Sequence, residues 1–320
     1  MQLTQKIRAA FAPRRLGDWP TPLERAPELA RAIGVAELAV KREDRSSARY
    51  GGNKVRGLEF LLAGAAPGTA FVTVGGTGST HCLATAVHAA AAACHAVVAQ
   101  FPQPDTPASR AVAAACSARA ALVVRARARS TLPLAVLDAW RRARAFGPRR
   151  WIPGGGAHPR AVVGHVLAGL ELALQVAEPP DAIVLPLGTG GTAAGLALAM
   201  AALAWPTRVI GVRVAPMIVA NRWRTLHLAR GARRLLAHQG VPFPVPRSLD
   251  IVDGLGNGYG HPTPEGEAAG RLVAGHGLIV DPTYGAKAFA FLMRRATRNV
   301  QRVVFWHTFA FPDSALESVP

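Results

Sequence analysis

Asp181-Ala182-Ile183-Val184-Leu185-Pro186-Leu187 runs into Gly188-Thr189-Gly190-Gly191-Thr192, and this into Ala193-Ala194-Gly195-Leu196-Ala197-Leu198. An apolar run of strand length, a glycine-rich break and an Ala/Leu-rich run of helical length make one βα unit. Backbone N–H groups in such a loop converge on one point, and the dipole of the following helix adds positive potential there. Both favour a phosphate. The same residues also satisfy a plain tight turn between strand and helix. They match G-x-G-x-x-A, a short dinucleotide fingerprint, which calls for an acidic residue about 20 positions on. This chain has Arg213 at the end of the next strand instead, a group suited to a 2′-phosphate. An NADP-dependent oxidoreductase is therefore an alternative on these residues alone.

Outward from this unit the alternation repeats. Strands are expected at 70–74, 96–101, 121–124, 181–187, 209–214 and 303–306. Helices are expected at 81–93, 107–117, 132–145, 160–176, 193–204, 218–238, 264–274 and 284–297, with a further helical run beginning near Gly57. Pro67-Gly68, Phe101-Pro102, Gly154-Gly155-Gly156 and Pro179-Pro180 punctuate them. Strands alternating with helices imply an α/β fold with a mostly parallel sheet. No internal repeat or low-complexity tail interrupts the pattern.

The chain has 320 residues, half of them hydrophobic, enough for a large core in one or two domains. No apolar run approaches the roughly 18 residues of a membrane span. The start, residues 1–20, lacks the apolar core of a secretory signal, and Cys82, Cys94 and Cys116 cannot all pair. A cytoplasmic location and a reducing compartment are the expectation. The net charge of +18 raises nucleic acid as a partner. Only four of the 37 basic residues are lysines, however, and the arginines are scattered among alanines. Stretches such as Arg141-Arg142 and Arg149-Arg150 read as solvated helix ends and loops. No nucleic-acid-binding motif accompanies the charge, so a basic nucleic-acid binder stands only as an alternative. The histidines show no H-E-x-x-H spacing and there is no Walker A sequence, so no catalytic metal is expected.

Four further motifs carry chemistry. Lys54 closes Tyr50-Gly51-Gly52-Asn53-Lys54, between the charged stretch Lys41-Arg42-Glu43-Asp44-Arg45 and a helical run. A desolvated lysine at a crowded loop-to-helix junction is a good Schiff-base nucleophile; a surface lysine in a turn has the same sequence. Gly75-Gly76-Thr77-Gly78-Ser79-Thr80-His81 again follows a strand and opens a helix. Its amide groups and the Ser79 and Thr80 hydroxyls suit a carboxylate, or one of the hydroxyls simply caps the helix. Thr at 77 and His at 81 break the G-x-S-x-G hydrolase pattern. Asp281-Pro282-Thr283-Tyr284-Gly285-Ala286-Lys287 precedes a helix, with Tyr284 either an acid/base group or a core aromatic. Phe305-Trp306-His307-Thr308 ends the last expected strand, where ligands of parallel sheets bind.

In this order the motifs resemble the fold-type II (tryptophan synthase β-like) enzymes dependent on pyridoxal 5′-phosphate (PLP), in particular the group containing 1-aminocyclopropane-1-carboxylate (ACC) deaminase and D-cysteine desulfhydrase. The resemblance runs from Trp19-Pro20-Thr21-Pro22-Leu23-Glu24 through Gly51-Gly52-Asn53-Lys54, Trp151-Ile152-Pro153-Gly154-Gly155-Gly156 and Leu187–Thr192. Gly258-Tyr259-Gly260, Asp281–Lys287 and His307-Thr308 complete it.

The resemblance implies two open, twisted, mostly parallel sheets flanked by helices. Residues 1–58 and 159–320 would form the larger cofactor domain, and 59–158 a smaller α/β domain closing over the substrate. Lys54 would carry PLP through its amine and, once freed, move protons. Gly188, Thr189, Gly190, Gly191 and Thr192 would cradle the phosphate, with Asn53 and Thr80 also on the cofactor and Thr308 facing its pyridine nitrogen. A neutral hydroxyl there weakens the ring as an electron sink and favours elimination at the β-carbon. Ser79 would hold or attack the substrate, with Thr80 and His81 lining that loop. Tyr259 and Tyr284 would flank the substrate as acid/base or stacking groups. The implied activity is that of a lyase or deaminase on a small amino acid, giving a 2-oxo acid and ammonia, in a cytoplasmic homodimer. Some positions depart from the family pattern. Its substrate loop Gln-Ser-Asn-His is here Gly78-Ser79-Thr80-His81, and its second lysine near the phosphate is Gly57. Its Tyr-Thr-Gly-Lys is Tyr284-Gly285-Ala286-Lys287, and its Gly-Gly after His-Thr is Phe309-Ala310. The phosphate site thus lacks one charge unless an arginine supplies it.

Overall fold

The computed structural model describes residues 2–294 and 300–309. Its strands are β1 (Leu23–Arg25), β2 (Glu37–Arg42), β3 (Ala70–Gly76), β4 (His95–Phe101), β5 (Leu122–Arg125), β6 (Arg149–Trp151), β7 (Ala182–Leu187), β8 (Arg208–Arg213), β9 (Leu249–Asp253) and β10 (Arg302–His307). They form two sheets, ordered β1-β2-β10-β7-β8-β9 and β5-β4-β3-β6. Only the β1–β2 pair is antiparallel. The α/β class with two mostly parallel sheets agrees with the expectation from sequence. β7 lies inside the larger sheet and is buried at all six positions, which is why its sequence is a continuous apolar run rather than an alternation.

The helices are α1 (Gln2–Phe11), α2 (Pro27–Ile33), α3 (Lys54–Leu61), α4 (Thr80–Ala91), α5 (Pro107–Arg119), α6 (Leu132–Arg142), α7 (Pro159–Leu172), α8 (Gly191–Ala202), α9 (Arg222–His238), α10 (Pro264–Ala274) and α11 (Gly285–Arg294). Helices α1, α7, α8 and α9 cover one face of the larger sheet, and α2, α10 and α11 the other. The smaller sheet packs against α4 and α5 on one side and α6 on the other. Helix α3 stands between the two cores. Phe60 belongs to the larger one and Leu58 to the smaller, both almost fully buried. Burying each such side chain stabilises by roughly 1.5–3 kcal/mol, so the helix that begins at Lys54 is fastened on both sides. Its backbone also lies close to α7. A Cβ at Gly164 would fall 2.1 Å from the Arg56 carbonyl oxygen, and one at Gly57 would fall 3.0 Å from Cβ of Ala161.

Several sequence expectations are corrected. Helix α3 starts at Lys54, not near Gly57. Residues 218–221 precede α9 rather than belonging to it, because Asn221 caps that helix by accepting the Arg224 N–H. The last helix is described only to Arg294, and 295–297 lie outside the described residues. Arg149 and Arg150 are in β6, and their guanidinium groups lie over the Trp140 and Phe71 rings. Strands β1, β2, β6 and β9 went unrecognised. In β2 Lys41 and Arg42 were misleading, because they are buried and paired. Lys41 Nζ donates to the Thr21 carbonyl at 2.7 Å and the Glu171 carboxylate at 2.5 Å. Arg56 makes a two-bond fork to Glu43 and another to Glu171, all at 2.7–3.1 Å. Two cations and two carboxylates cancel. The network ties β2, α3 and α7 together directly behind Lys54.

Candidate active site

Lys54 is the first residue of α3, held between the Gly51-Gly52 turn and the α3–α7 contact. Gly51 is required there, since a Cβ would fall 1.9 Å from the Asp44 carbonyl oxygen. The residue is half-buried, and desolvation of its amine brings the pKa down to about 8. A substantial fraction is then the neutral nucleophile near physiological pH. Nζ donates to the carbonyl of Gly155 at 3.3 Å.

Facing it is the loop between β7 and α8. Gly190 has φ +88 and serves as the helix N-cap; a Cβ on it would come within 2.5 Å of the Thr225 hydroxyl. A Cβ on Gly191 would meet nothing within 4 Å. This is a cradle whose floor is backbone N–H at a helix start and whose opening is kept clear by the missing side chain. Asn53 Nδ2 donates to the Thr192 hydroxyl at 2.8 Å, and the Asn53 N–H donates to the Thr308 carbonyl at 3.0 Å. One residue thus links the phosphate-type loop, the lysine and the end of β10. Asn53, Lys54, Thr80, the 188–192 loop, Tyr284 and Thr308 border one cleft. Among the described residues bordering it, Lys54 is the sole charged one. No arginine takes the place of the lysine missing at 57. Position 57 is instead a packing contact with α7, where only glycine fits comfortably.

Tyr259 and Tyr284 are brought together, hydroxyl to hydroxyl, at 2.6 Å. The Tyr284 ring lies beside Gly188. Burial raises both phenolic pKa values, most strongly that of Tyr284, so both are neutral at pH 7 and each keeps a proton it could donate. Asp281 organises this corner. Its carboxylate accepts the N–H groups of Thr283, Tyr284 and Gly285 at 2.6–3.0 Å, while burial raises its pKa to about 6. Lys287 donates to the Leu255 and Gly258 carbonyls and so ties the Tyr259 loop to α11. The structural work of Asp281 and Lys287 was not read from the sequence, although both stand in a motif singled out there.

The substrate-loop residues divide. Ser79 caps α4, its hydroxyl accepting the Cys82 N–H at 3.4 Å. Thr80 borders the cofactor cleft. His81 turns inward to the Thr73 hydroxyl at 2.9 Å, and burial lowers its pKa to about 3. It is therefore neutral throughout the working range and does not present a charge to the cleft. Gly78 is glycine for a local reason: a Cβ there would fall 2.5 Å from Nε2 of Gln103. Arg213, which a dinucleotide site would use, pairs with Asp253 at 3.1 Å.

The sequence pattern described as "Pyridoxal-phosphate dependent enzyme" matches residues 14–308. The chain belongs to that family. This PLP-dependent enzyme is 36% identical to the nocardicin C-9′ epimerase of Nocardia uniformis subsp. tsuyamanensis, over 90% of this chain and 91% of that one. It is 32% identical to a D-cysteine desulfhydrase of Klebsiella pneumoniae (strain 342), over 92% of each. In fold it is similar to the crystal structure of an ACC deaminase homologue, with TM-score 0.82 and 29% identity over 95% of this chain and 94% of that one. PLP is its cofactor, and the cleft fits it. A lysine of lowered pKa and a glycine-lined helix start border the same space. Bound PLP supplies an electron-withdrawing ring to which a substrate amine can be joined. The chain supplies the amine of Lys54, the N–H cradle and two neutral phenols.

Proposed function

We propose that this PLP-dependent enzyme is a lyase or deaminase of a small amino acid, releasing a 2-oxo acid and ammonia. The observation that carries the reading is the placement of Lys54 and the Tyr259–Tyr284 pair around the phosphate loop. Lys54, its amine free, would take the α-proton. Tyr284, neutral and backed by Tyr259, donates a proton to the departing β-substituent. Gly188–Thr192 would hold the phosphate, Asn53 fixes the loop through Thr192, Thr80 would border the cofactor and Thr308 would lie on its ring side. Ser79, at the start of α4, and His81, from behind it, shape the substrate side. The unit 59–158 closes over the cleft, whose other wall comes from 1–58 and 159–320. The relatives named as D-cysteine desulfhydrase and ACC deaminase homologue support this reaction class. Steady-state assays with D-cysteine, β-chloro-D-alanine, D-serine and ACC test it: pyruvate or 2-oxobutyrate is expected from at least one, and none from all four rejects it.

Epimerisation is a second reading, favoured by the likeness to the nocardicin C-9′ epimerase and by two separate proton carriers in one cleft. Deuterium entering the α-position with inversion, and no 2-oxo acid, selects it. We further propose a cytoplasmic homodimer. No helix among the described residues is long and apolar enough to cross a membrane, and the three cysteines are buried and free. Met217, Ile218 and Trp223 are each exposed large hydrophobics, the kind of side chain that self-association would cover.

A further inference from the structure

Gln103 lies two residues beyond β4, and its amide rests on the glycine-rich loop that follows β3. A Cβ at Gly76 would fall 2.1 Å from Oε1, and one at Gly78 2.5 Å from Nε2. Both glycines make room for this one side chain. Its amide oxygen is buried and has no hydrogen-bond partner. Turning the amide over would bury an N–H there instead, so a partner is wanted in either orientation.

The space in front of Gln103 holds about 330 Å³, its mouth included, and is bordered also by Tyr259, Thr283, Tyr284 and Phe309. Tyr284 and Phe309 also border the cofactor cleft, so the two spaces adjoin. Its one charged border residue, Asp281, is already engaged by three backbone N–H groups. Among the described residues no lysine, arginine or histidine borders it.

We propose that this space is the pocket for the substrate's side chain, that Gln103 is its specificity-determining residue, and that it selects a neutral, hydrogen-bonding side chain over an apolar or a charged one. The inference rests on the amino-acid reading above. A hydroxyl, thiol or amide satisfies the unpartnered amide atom. A methyl group leaves it buried and alone, and a carboxylate finds no cation. Selection by a polar group that must be satisfied is the stronger kind.

The test uses the PLP-loaded enzyme and rapid mixing with DL-serine and DL-alanine, a pair differing by one hydroxyl. The readout is the apparent dissociation constant from the change in the visible cofactor band, read before turnover. Wild type is expected to bind serine more tightly than alanine. Gln103→Met, which removes the amide, and Gln103→Asn, which withdraws it by one methylene, are each expected to weaken serine about 5- to 10-fold and to leave alanine within about twofold. An unchanged cofactor band shows that the variants are folded. Equal weakening of both amino acids, no change in either, or a wild type indifferent to the hydroxyl overturns the assignment of Gln103. An intact cofactor band that responds to neither amino acid overturns the amino-acid reading itself, and this inference with it.

Discussion

The amine of Lys54, at the head of α3, donates to the carbonyl of Gly155 at 3.3 Å, and Gly155 in turn touches the phosphate loop. Its φ is +67, and a Cβ on it would stand 2.7 Å from the Thr189 hydroxyl. Gly155→Ala therefore carries two penalties: a left-handed backbone, costing about 1–2 kcal/mol, and displacement of Thr189. Gly64→Ala carries only the first, since φ is +64 there and the space is empty. Denaturant unfolding is expected to show a loss of about 1–2 kcal/mol for Gly64→Ala and more for Gly155→Ala. Only the latter is expected to weaken PLP binding, by about tenfold or more for each 1.4 kcal/mol of distortion passed to the loop.

The lowered pKa of Lys54, about 8, has a kinetic and a thermodynamic signature. In the cofactor-free protein the rate of visible-band formation with added PLP should rise with pH and reach half its limit near pH 8. A midpoint near 10 would mean a solvated lysine. For stability, the folded chain releases this proton near pH 8 and the unfolded chain near 10.5, so the unfolded state binds more protons between these values. Stability of the cofactor-free protein therefore rises with pH across that window, and the penalty is fully present below it. Lys54→Met is expected to be more stable than wild type at pH 7, by up to about 3 kcal/mol, with the advantage gone by pH 10.5. The same variant should show no borohydride-sensitive band.

Gly190 and Gly191 separate folding from binding. Gly190→Ala forces a left-handed residue against Thr225 and should lower stability by more than about 1 kcal/mol. Gly191→Ala adds a methyl to open space, so unfolding should stay within about 0.5 kcal/mol of wild type. PLP affinity should nonetheless fall, because the methyl enters the cradle. Equal effects at the two positions would contradict the geometry.

Tyr259 and Tyr284 share one hydrogen bond and should behave as a unit. Tyr284→Phe is expected to lower kcat about 100-fold, within the range for a lost general acid, with the cofactor band intact. Tyr259→Phe should cost less. The double variant should be no worse than the poorer single one, since groups acting together are non-additive. Additive losses in a double-mutant cycle would mean that the two hydroxyls work separately.

Removing Arg56 leaves Glu43 and Glu171 buried with Lys41 as their remaining cation in the network. Arg56→Met should destabilise by roughly 3–5 kcal/mol, measured by denaturant unfolding. A loss below about 1 kcal/mol would mean that water reaches the network.

The fold was legible wherever burial and apolarity coincide. β7, β4 and β8 announce themselves because every face is covered. β2 did not, because Lys41 and Arg42 read as solvent-facing until Glu171, 130 residues away from Lys41, is placed beside it. The site was legible as far as single motifs reach: Lys54, the 188–192 loop and Tyr284 do border one cleft. What could not be read is how motifs lean on one another. Gly57 looked like a lost cation and is a helix contact. Gly78 looked like a lost amide, yet Gln103 lies in the room where a side chain at 78 would stand. His81, expected along the substrate loop, is held there from behind by Thr73. Each depends on a neighbour distant in sequence, and no local spacing encodes that.

β10 is the most C-terminal of the described strands, yet it pairs in the middle of the larger sheet, between β2 and β7. During synthesis the β1–β2 pair and the β7–β8–β9 block therefore cannot be joined into one sheet until residues 302–307 emerge to pair with β2 and β7, and until then the edges that β10 covers have no partner. Thr308, which accepts the Asn53 N–H, arrives in the same step. A ribosome-bound chain halted before residue 302 should capture no PLP however much is supplied, and its exposed edges should make it a client of chaperones. Birth of the catalyst and closure of the sheet are one event.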